Sequence, residues 1–397
     1  MKRISELEKK YVYEVLETEF RSKSGATMMK RFETAFKDRF GAEHAISFVN
    51  GTATMHAALE AIDIRPGDEV IVPPLTMSST SFAVIQANAT PIFADVDPDT
   101  FQICPDAIEK MITPKTKAII TVALYGGAPD LPKIRKICDE RSLYLIEDNA
   151  ECFLAEIDGK LVGSYGDFAS YSFQSSKHLT SGEGGILLVK DDLLAERVRS
   201  VQSLGYAGLS SKTAKIDKST IQHPTYSRHA RMGWNYRMPE LCCAVALGQT
   251  ERIDELVNAR CLVANLYNEA MSEFDGKLLS PQKNYPNSTN TYWTWVAKLN
   301  TDTVNWDSFR ERYLQFSGDP YYGAWKLSYL EPMFQNRSLL GRENFITDDR
   351  YSQYKKGLCR NAERIQPQLL QFKTNYWQPD DALRSIDALV KTVKFFN

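Results

Sequence analysis

Short apolar blocks alternate with amphipathic segments along the first half of the chain, and this pattern predicts strands separated by helices. The predicted strands are Ala45–Val49, Glu69–Val72, Pro91–Asp95, Lys117–Leu124, Leu143–Ile146, Ala169–Phe173 and Gly185–Val189. The predicted helices are Ala53–Ile62, Thr76–Ala87, Pro105–Ile112 and Leu131–Arg141. Such alternation is typical of a mostly parallel α/β sheet, in which ligands bind at the carboxyl ends of the strands.

The segments outside this alternation predict a second, smaller domain. Residues 1–40 form a polar, helix-rich segment, and residues 204–232 have no clear period and indicate a long excursion with a functional role or no fixed structure. The later predicted elements are a helical stretch over Pro239–Met271, a strand over Thr291–Leu299 and a terminal helix over Asp380–Phe396. We therefore predict a large α/β domain over residues 1–250 and a small C-terminal α+β domain over residues 251–397.

Composition narrows the class of protein without indicating a chemistry. The chain has 397 residues, 43% hydrophobic and 25% charged, with a net charge of −2, so nothing predicts a nucleic-acid or anionic-membrane partner. No apolar run is long enough to span a membrane, and the charged N-terminus does not resemble a signal peptide, so we expect a cytoplasmic protein. The cysteines and histidines lack metal-binding spacings, so no metal site is predicted.

Three features that follow predicted strands suggest pyridoxal 5'-phosphate (PLP) chemistry. A PLP enzyme needs a lysine for the imine, an acid opposite the pyridine nitrogen and a phosphate site such as a helix N-terminus. Asp148 follows a buried strand, Lys177 lies in a polar turn between two strands, and Gly51-Thr52 opens a helix. Each feature alone is also typical of a cap or a surface turn, so the prediction depends on their occurrence together.

A longer series of short motifs surrounds these residues. In chain order they are Asn50-Gly51-Thr52, Pro73–Thr76, Glu147–Ala150, Gly166-Asp167, Ser172–Lys177, Gly182–Gly185 and Gly233–Met238. This series resembles the DegT/StrS-type sugar aminotransferases, which are fold-type I PLP enzymes, and most closely their perosamine-synthase-like members. The resemblance implies an aspartate-aminotransferase-like fold, with a mixed, mostly parallel seven-stranded sheet in the large domain.

The resemblance also implies roles for individual residues. Lys177 would carry the cofactor as a Schiff base and shuttle a proton, and Asp148 would pair with the pyridinium nitrogen. The other implied cofactor contacts are Gly51, Thr52, Ala53 and Ser172 at the phosphate, Met77 where an aromatic ring commonly stacks, Glu151 where many members have Gln or His, and Asn235 at the phosphate of the neighbouring subunit. Asn235 therefore implies a homodimer with shared active sites. The candidate substrate contacts are His178, Tyr322 and Trp325.

The reaction implied by the resemblance is transamination. L-glutamate would convert PLP to pyridoxamine phosphate (PMP), which would aminate a keto sugar, most simply a nucleotide-linked 4-keto-6-deoxy sugar for polysaccharide or antibiotic synthesis. Two alternative reactions stay open: amination of a cyclitol or other non-nucleotide ketone, and PLP-dependent sugar dehydration. A non-catalytic regulator on the same fold is the alternative from another class, and it predicts that Lys177 forms no imine.

Overall fold

The structure is a computed structural model that describes residues 2–20, 27–212 and 216–397. Residues 1 and 21–26 of the predicted N-terminal helical segment, and residues 213–215 of the predicted excursion, lie outside the described residues. None of the described helices is both long enough and apolar enough to cross a membrane.

The described chain alternates helices and strands from residue 44 onward. The helices are α1 Glu6–Glu17, α2 Met28–Phe40, α3 Gly51–Ala61, α4 Ser79–Gln86, α5 Pro105–Met111, α6 Leu131–Arg141, α7 Asp192–Gln202, α8 Lys218–Gln222, α9 Glu240–Glu251, α10 Ile253–Met271, α11 Trp306–Gln315, α12 Pro332–Gln335, α13 Asp348–Tyr351, α14 Arg360–Ile365 and α15 Leu383–Phe396. The strands are β1 His44–Phe48, β2 Glu69–Val72, β3 Thr90–Phe93, β4 Thr116–Val122, β5 Tyr144–Asp148, β6 Glu156–Ile157, β7 Lys160–Leu161, β8 Phe168–Ser172, β9 Gly185–Val189, β10 Leu279–Pro281, β11 Thr294–Leu299, β12 Tyr322–Gly323 and β13 Leu369–Lys373. Short 3₁₀ turns lie at Leu124–Gly126, Ser328–Leu330, Glu343–Phe345, Gln366–Gln368 and Pro379–Ala382.

The large sheet has seven strands in the order β1-β9-β8-β5-β4-β2-β3. The pairs β3–β2, β2–β4, β4–β5 and β5–β8 are parallel, whereas β9 is antiparallel to both of its neighbours. The predicted α/β fold with a mixed, mostly parallel sheet is therefore confirmed. The carboxyl ends of the parallel strands β4, β5 and β8 lie on the same side of the sheet, which is where such sheets bind ligands.

Helices cover both faces of this sheet, and the central strands are correspondingly apolar. In β4, the side chains of Ala118, Ile120 and Val122 join the hydrophobic cluster that contains α3 and α4, and Ile119 joins the cluster that contains α6. The alternation of β4 side chains between the two clusters explains why the sequence there is an almost continuous apolar run. A third cluster packs α1, α2 and α9 against β1, β8 and β9.

The second half of the chain forms a small antiparallel sheet and then returns to the large one. Strands β10, β11, β13 and β12 pair in that order beside α10, α11 and α15. The segment between β12 and β13 packs against the β3 edge, where the Tyr354 hydroxyl donates to the Pro91 carbonyl at 2.6 Å and the Tyr329 and Phe334 rings contact Phe93. The division into two domains at residue 250 stays a prediction.

Two predicted helices in the second half of the chain differ in extent from those in the structure. The helical stretch Pro239–Met271 is two helices, because Arg252 has φ −110° and ψ 16° and interrupts the helix between α9 and α10. The terminal helix begins at Leu383, after a 3₁₀ turn that starts at Pro379. Neither break contains a glycine or an internal proline that would indicate it in the sequence. Because the helix is interrupted at Arg252, α9 packs on the N-terminal helices while α10 packs on the small sheet.

A buried ion pair joins helices α2 and α7. The Arg199 guanidinium donates to both carboxylate oxygens of Glu33, at 2.9 and 2.7 Å, and the two side chains are 1% and 3% exposed. The Ser47 backbone and hydroxyl also donate to Glu33, each at 2.9 Å. Two charges this deeply buried are tolerated only because each satisfies the other.

Replacing one partner of this pair should destabilise the fold strongly. We expect Arg199→Met to lower the free energy of unfolding by about 3–5 kcal/mol, because it leaves the Glu33 carboxylate buried without its cation. The double variant Glu33→Leu/Arg199→Met should lose less free energy of unfolding than Arg199→Met alone. Urea unfolding of the three proteins measures this, and a loss below about 1 kcal/mol in Arg199→Met contradicts the expectation.

Candidate active site

The carboxyl ends of two parallel strands bring the predicted catalytic residues together. Asp148 is the last residue of β5 and lies opposite Ser170 of the neighbouring strand β8. Lys177 follows β8 by one short turn, in which its N–H donates to the Gln174 carbonyl at 3.0 Å. Because β5 and β8 run in the same direction, both residues lie at the same edge of the sheet.

The Lys177 side chain is largely buried and lies beside Glu151. The Lys177 Nζ donates to Glu151 Oε1 at 3.1 Å, and the two side chains are 14% and 4% exposed. The second oxygen of Glu151 accepts the backbone N–H of Tyr125 at 3.1 Å. The Lys177 Nζ also lies 4.6 Å from the centroid of the Trp293 ring. A carboxylate and an aromatic face therefore hold the amine in place.

The Asp148 carboxyl is buried and has few partners. Its Oδ2 accepts the Thr80 hydroxyl at 3.0 Å, and its Oδ1 accepts the Ala150 N–H at 3.2 Å. Burial raises the pKa of Asp148 to about 6, while these hydrogen bonds and the Lys177 charge act in the opposite direction. A cationic ring nitrogen placed against this carboxyl would supply the opposite charge that the site needs, so the residue suits a pyridinium.

The N-terminus of α3 provides a cradle for an anion. Asn50 caps the helix by accepting the Ala53 N–H at 2.9 Å, and the first-turn N–H groups of a helix have no partners within it. Gly51 lies against Ser172, and a Cβ at Gly51 would stand 3.2 Å from the Ser172 Cβ. Strand β9 also passes closely, since a Cβ at Gly185 would stand 2.5 Å from the Asn50 carbonyl oxygen. An amine, a buried acid and an anion cradle fit PLP together.

The remaining predicted contacts fall into two groups. Met77 is 54% exposed just before α4, the helix that carries Thr80, and Asn235 is exposed in a bridge with Ser203. Trp325 stacks on Trp293 with ring centroids 6.0 Å apart, and it is the Trp293 ring that lies near the Lys177 amine.

The other two predicted substrate residues lack such a position. His178 is 0% exposed, and its Nε2 lies 2.8 Å from the Thr291 carbonyl oxygen, so the ring faces the protein interior. Tyr322 is 74% exposed and lines a surface groove with Trp306 and Arg310. Substrate contacts by these two residues stay predictions without geometric support.

The structure adds two residues that the sequence did not single out. Thr80 orients Asp148 from a helix distant in the sequence, and Trp293 lies over Lys177 from the segment before β11. Thr80 comes one turn after the Pro73–Thr76 motif, which is the only local signal for it. Trp293 has no local signal, because a tryptophan before a strand is as typical of a core as of a site.

Comparisons with known proteins identify the family of this chain. Residues 2–354 match the DegT/DnrJ/EryC1/StrS aminotransferase family. A GDP-perosamine synthase of Vibrio cholerae is 33% identical over 286 residues, 72% of this chain and 73% of that protein. An L-glutamine:2-deoxy-scyllo-inosose aminotransferase of Streptomyces kanamyceticus is 35% identical over 271 residues, 68% of this chain and 62% of that protein. The X-ray structure of an aminotransferase from Psychrobacter cryohalolentis superposes with a TM-score of 0.85 and 26% identity, covering 99% of this chain and 96% of that one.

The fold and these matches define a fold-type I aminotransferase. The chain belongs to the DegT/DnrJ/EryC1/StrS aminotransferase family. It is thus a PLP-dependent aminotransferase, which confirms the family, the enzyme class and the cofactor predicted from the sequence.

Asp148→Asn should stabilise the protein in the absence of PLP. The folded pKa of about 6 lies above the unfolded value of 3.8, so ionising Asp148 costs folding free energy that grows as the pH rises through this window. At one pKa unit per 1.36 kcal/mol, the variant should gain about 3 kcal/mol at pH 8 and about half of that at pH 5. Urea unfolding of PLP-free protein at both pH values measures the gain. The exposed substitution Asp381→Asn is the control, and equal stability of Asp148→Asn and the parent protein at pH 8 contradicts the expectation.

Proposed function

We propose that this chain transfers an amino group from L-glutamate to a nucleotide-linked 4-keto-6-deoxy sugar, and that it works as a homodimer. The observation that carries the proposal is the convergence of Lys177, Asp148 and Glu151 at one strand edge, next to the α3 N-terminus. The identity of the sugar rests on relatives, because GDP-perosamine synthases of three bacteria are 33–36% identical to this chain.

Bound PLP supplies an electron sink for the bond changes at the amino-bearing carbon. Lys177 would hold the cofactor covalently, and its Nζ would move a proton at the amino-bearing carbon of the substrate. The Asp148 carboxylate would keep the ring nitrogen of the cofactor protonated, and the Thr80 hydroxyl orients that carboxylate. Glu151 accepts a hydrogen bond from Lys177 Nζ and so directs the amine within the site.

The phosphate would lie at Gly51, Thr52 and Ala53, with the Ser172 hydroxyl beside them. Asn235 supports the homodimer, because it is exposed on its own subunit and would complete this phosphate site on the partner subunit. Met77, also exposed, would lie against the cofactor ring through its thioether. The cofactor would therefore bind residues from several distant parts of the chain and from the second copy.

Trp293 and Trp325 form the wall on which the acceptor would lie. The two rings stack with an interplanar angle of 29°, and Trp293 faces the Lys177 amine. An apolar wall next to the amine suits the C–H face of a sugar ring, whereas the hydroxyl groups would face polar side chains. A cyclitol presents a similar face, and a relative named for amination of 2-deoxy-scyllo-inosose favours it as the second candidate.

The test uses the PMP-loaded enzyme and two acceptors. We expect a GDP-linked 4-keto-6-deoxyhexose to consume PMP in a single turnover, while 2-deoxy-scyllo-inosose should react far more slowly. L-glutamate should restore PMP afterwards, and L-glutamine should not replace it efficiently. Absorbance and product mass measure the turnover, and preference for the inosose would establish the second candidate instead.

Lys177→Ala is the matching test of the catalytic assignment. After borohydride reduction, the parent protein should carry a pyridoxyl group on the Lys177 peptide, and the variant should carry none because no amine is present to form the imine. Lys190→Ala removes an exposed lysine that donates to the Tyr165 carbonyl, and it should keep full labelling. Labelling that persists in Lys177→Ala would exclude Lys177 as the attachment site.

Trp325→Ala should weaken acceptor binding selectively. Loss of one aromatic face should raise the acceptor KM about tenfold, which is the scale of a single buried aromatic contact, while the rate of the L-glutamate half-reaction stays unchanged. Trp325→Phe should recover most of the loss. Trp306→Ala removes a tryptophan from the groove near Tyr322 and serves as the control. An equal effect on both half-reactions would argue against acceptor contact.

A further inference from the structure

The turn that carries Lys177 is held from outside by two arginines and one tryptophan. Three successive backbone carbonyls, those of Ser175, Ser176 and Lys177, accept hydrogen bonds from side chains that come from distant parts of the chain. The Trp293 indole donates to the Ser176 carbonyl at 2.9 Å. The backbone of the turn therefore has partners in addition to its own hydrogen bond from Lys177 to Gln174.

Arg260, in the middle of α10, is the central member of this group. Its Nη2 donates to the carbonyls of Ser176 and Lys177, both at 2.9 Å, and its Nη1 donates to the Trp293 carbonyl at 2.6 Å. One planar guanidinium thus ties the Lys177 turn to the segment that carries Trp293. A lysine offers no such fixed fork of donors.

Arg3, from the segment before α1, reaches the same turn. It donates to the Ser175 carbonyl at 2.5 Å and to the Lys177 carbonyl at 2.6 Å. Its own backbone carbonyl accepts from Gln249 at 2.8 Å and from Arg252 at 3.2 Å, which fixes the N-terminal segment to α9 and its C-cap. Two guanidinium groups therefore converge on the single carbonyl of Lys177.

This arrangement is electrostatically costly. Arg260 is 2% exposed, and its hydrogen-bond partners within the described chain are uncharged oxygens, so no carboxylate bonded to it offsets the burial of its charge. Burial, and then the nearby Arg3 charge, lower the pKa of Arg260 to about 9. Both guanidinium groups also lie near the Trp377 ring, at 5.5 and 5.9 Å from its centroid. Carbonyl groups that accept from charged donors form strong, directional bonds, which suits a role in geometry.

We propose that Arg260 and Arg3 are positioning residues that fix the backbone of residues 175–177, so that the Lys177 Nζ is held at the point where it meets the cofactor. The N-terminal segment is thereby part of the active-site support. The inference rests on the proposed role of Lys177, and it adds that attachment of PLP to that lysine depends on residues that touch neither cofactor nor substrate.

The test compares equal substitutions at two buried arginines. Arg260→Lys and Arg199→Lys make the same chemical change, but Arg199 binds Glu33 and the Ser211 carbonyl, away from the turn. At saturating PLP, we expect Arg260→Lys to slow borohydride-trapped labelling of the Lys177 peptide on the order of tenfold and Arg260→Gln more, since a displacement near 1 Å costs up to about 10²-fold. Arg199→Lys should change it less than about twofold.

A second readout reports on the turn itself. Amide hydrogen exchange of a peptide covering residues 174–178, measured without PLP, should be faster in the Arg260 variants and in Arg3→Gln, and unchanged in Arg199→Lys. Arg3 is only partly buried, so Arg3→Gln should fold even if Arg260→Gln does not. Equal labelling rates and equal exchange in Arg260→Lys, Arg3→Gln and Arg199→Lys would overturn the proposal. Failure of the proposed function is distinct, because Lys177→Ala would then retain its label.

Discussion

The Asp148 carboxyl lies inside the protein at the end of β5, where two hydrogen-bond donors and a nearby lysine share its negative charge. Ionisation of a carboxyl in that position costs free energy unless a cation lies beside it. The neighbouring elements place groups that stabilise the ionised carboxyl. Helix α4 supplies the Thr80 hydroxyl, and β8 leads to the cationic Lys177. Both groups lie near the Asp148 carboxylate at the carboxyl ends of β5 and β8.

The opposite charge, that of Lys177, is controlled from the second half of the chain. Trp293 lies over its amine, and Arg260 joins the carbonyls of residues 176 and 293 through one guanidinium group. Even His178 contributes here, since its ring meets the Thr291 carbonyl two residues before Trp293. The lysine turn and the segment before β11 therefore form one hydrogen-bonded unit, so a displacement of one segment would displace the other.

Much of the large domain could be predicted from the sequence because its signals are local. Glu69–Val72, Leu131–Arg141 and Gly185–Val189 have the predicted bounds, since each is an apolar or amphipathic block bounded by clear turn residues. The short strands β10, β12 and β13 were not predicted, because two of them have only two or three residues and their pairing depends on the rest of the small sheet. Lys177 and Asp148 were found through motif order, whereas Thr80 and Trp293 became visible only when distant segments met.

The same difference between local and distant signals explains why the reaction type is easier to predict from this sequence than the substrate. Asp148, Lys177 and Gly51-Thr52 lie in the series of short motifs that ends at Met238, whereas Trp325 lies beyond that series. Trp325 lies in the segment between α11 and β13, which both completes the small sheet and covers the β3 edge of the large one. The exposed side chains of such a segment can change, because its buried aromatic residues, such as Tyr354, fix the path of its backbone. Under the proposed function, acceptor choice would therefore vary at positions like Trp325, while the hydrogen bonds that hold the lysine turn stay in place.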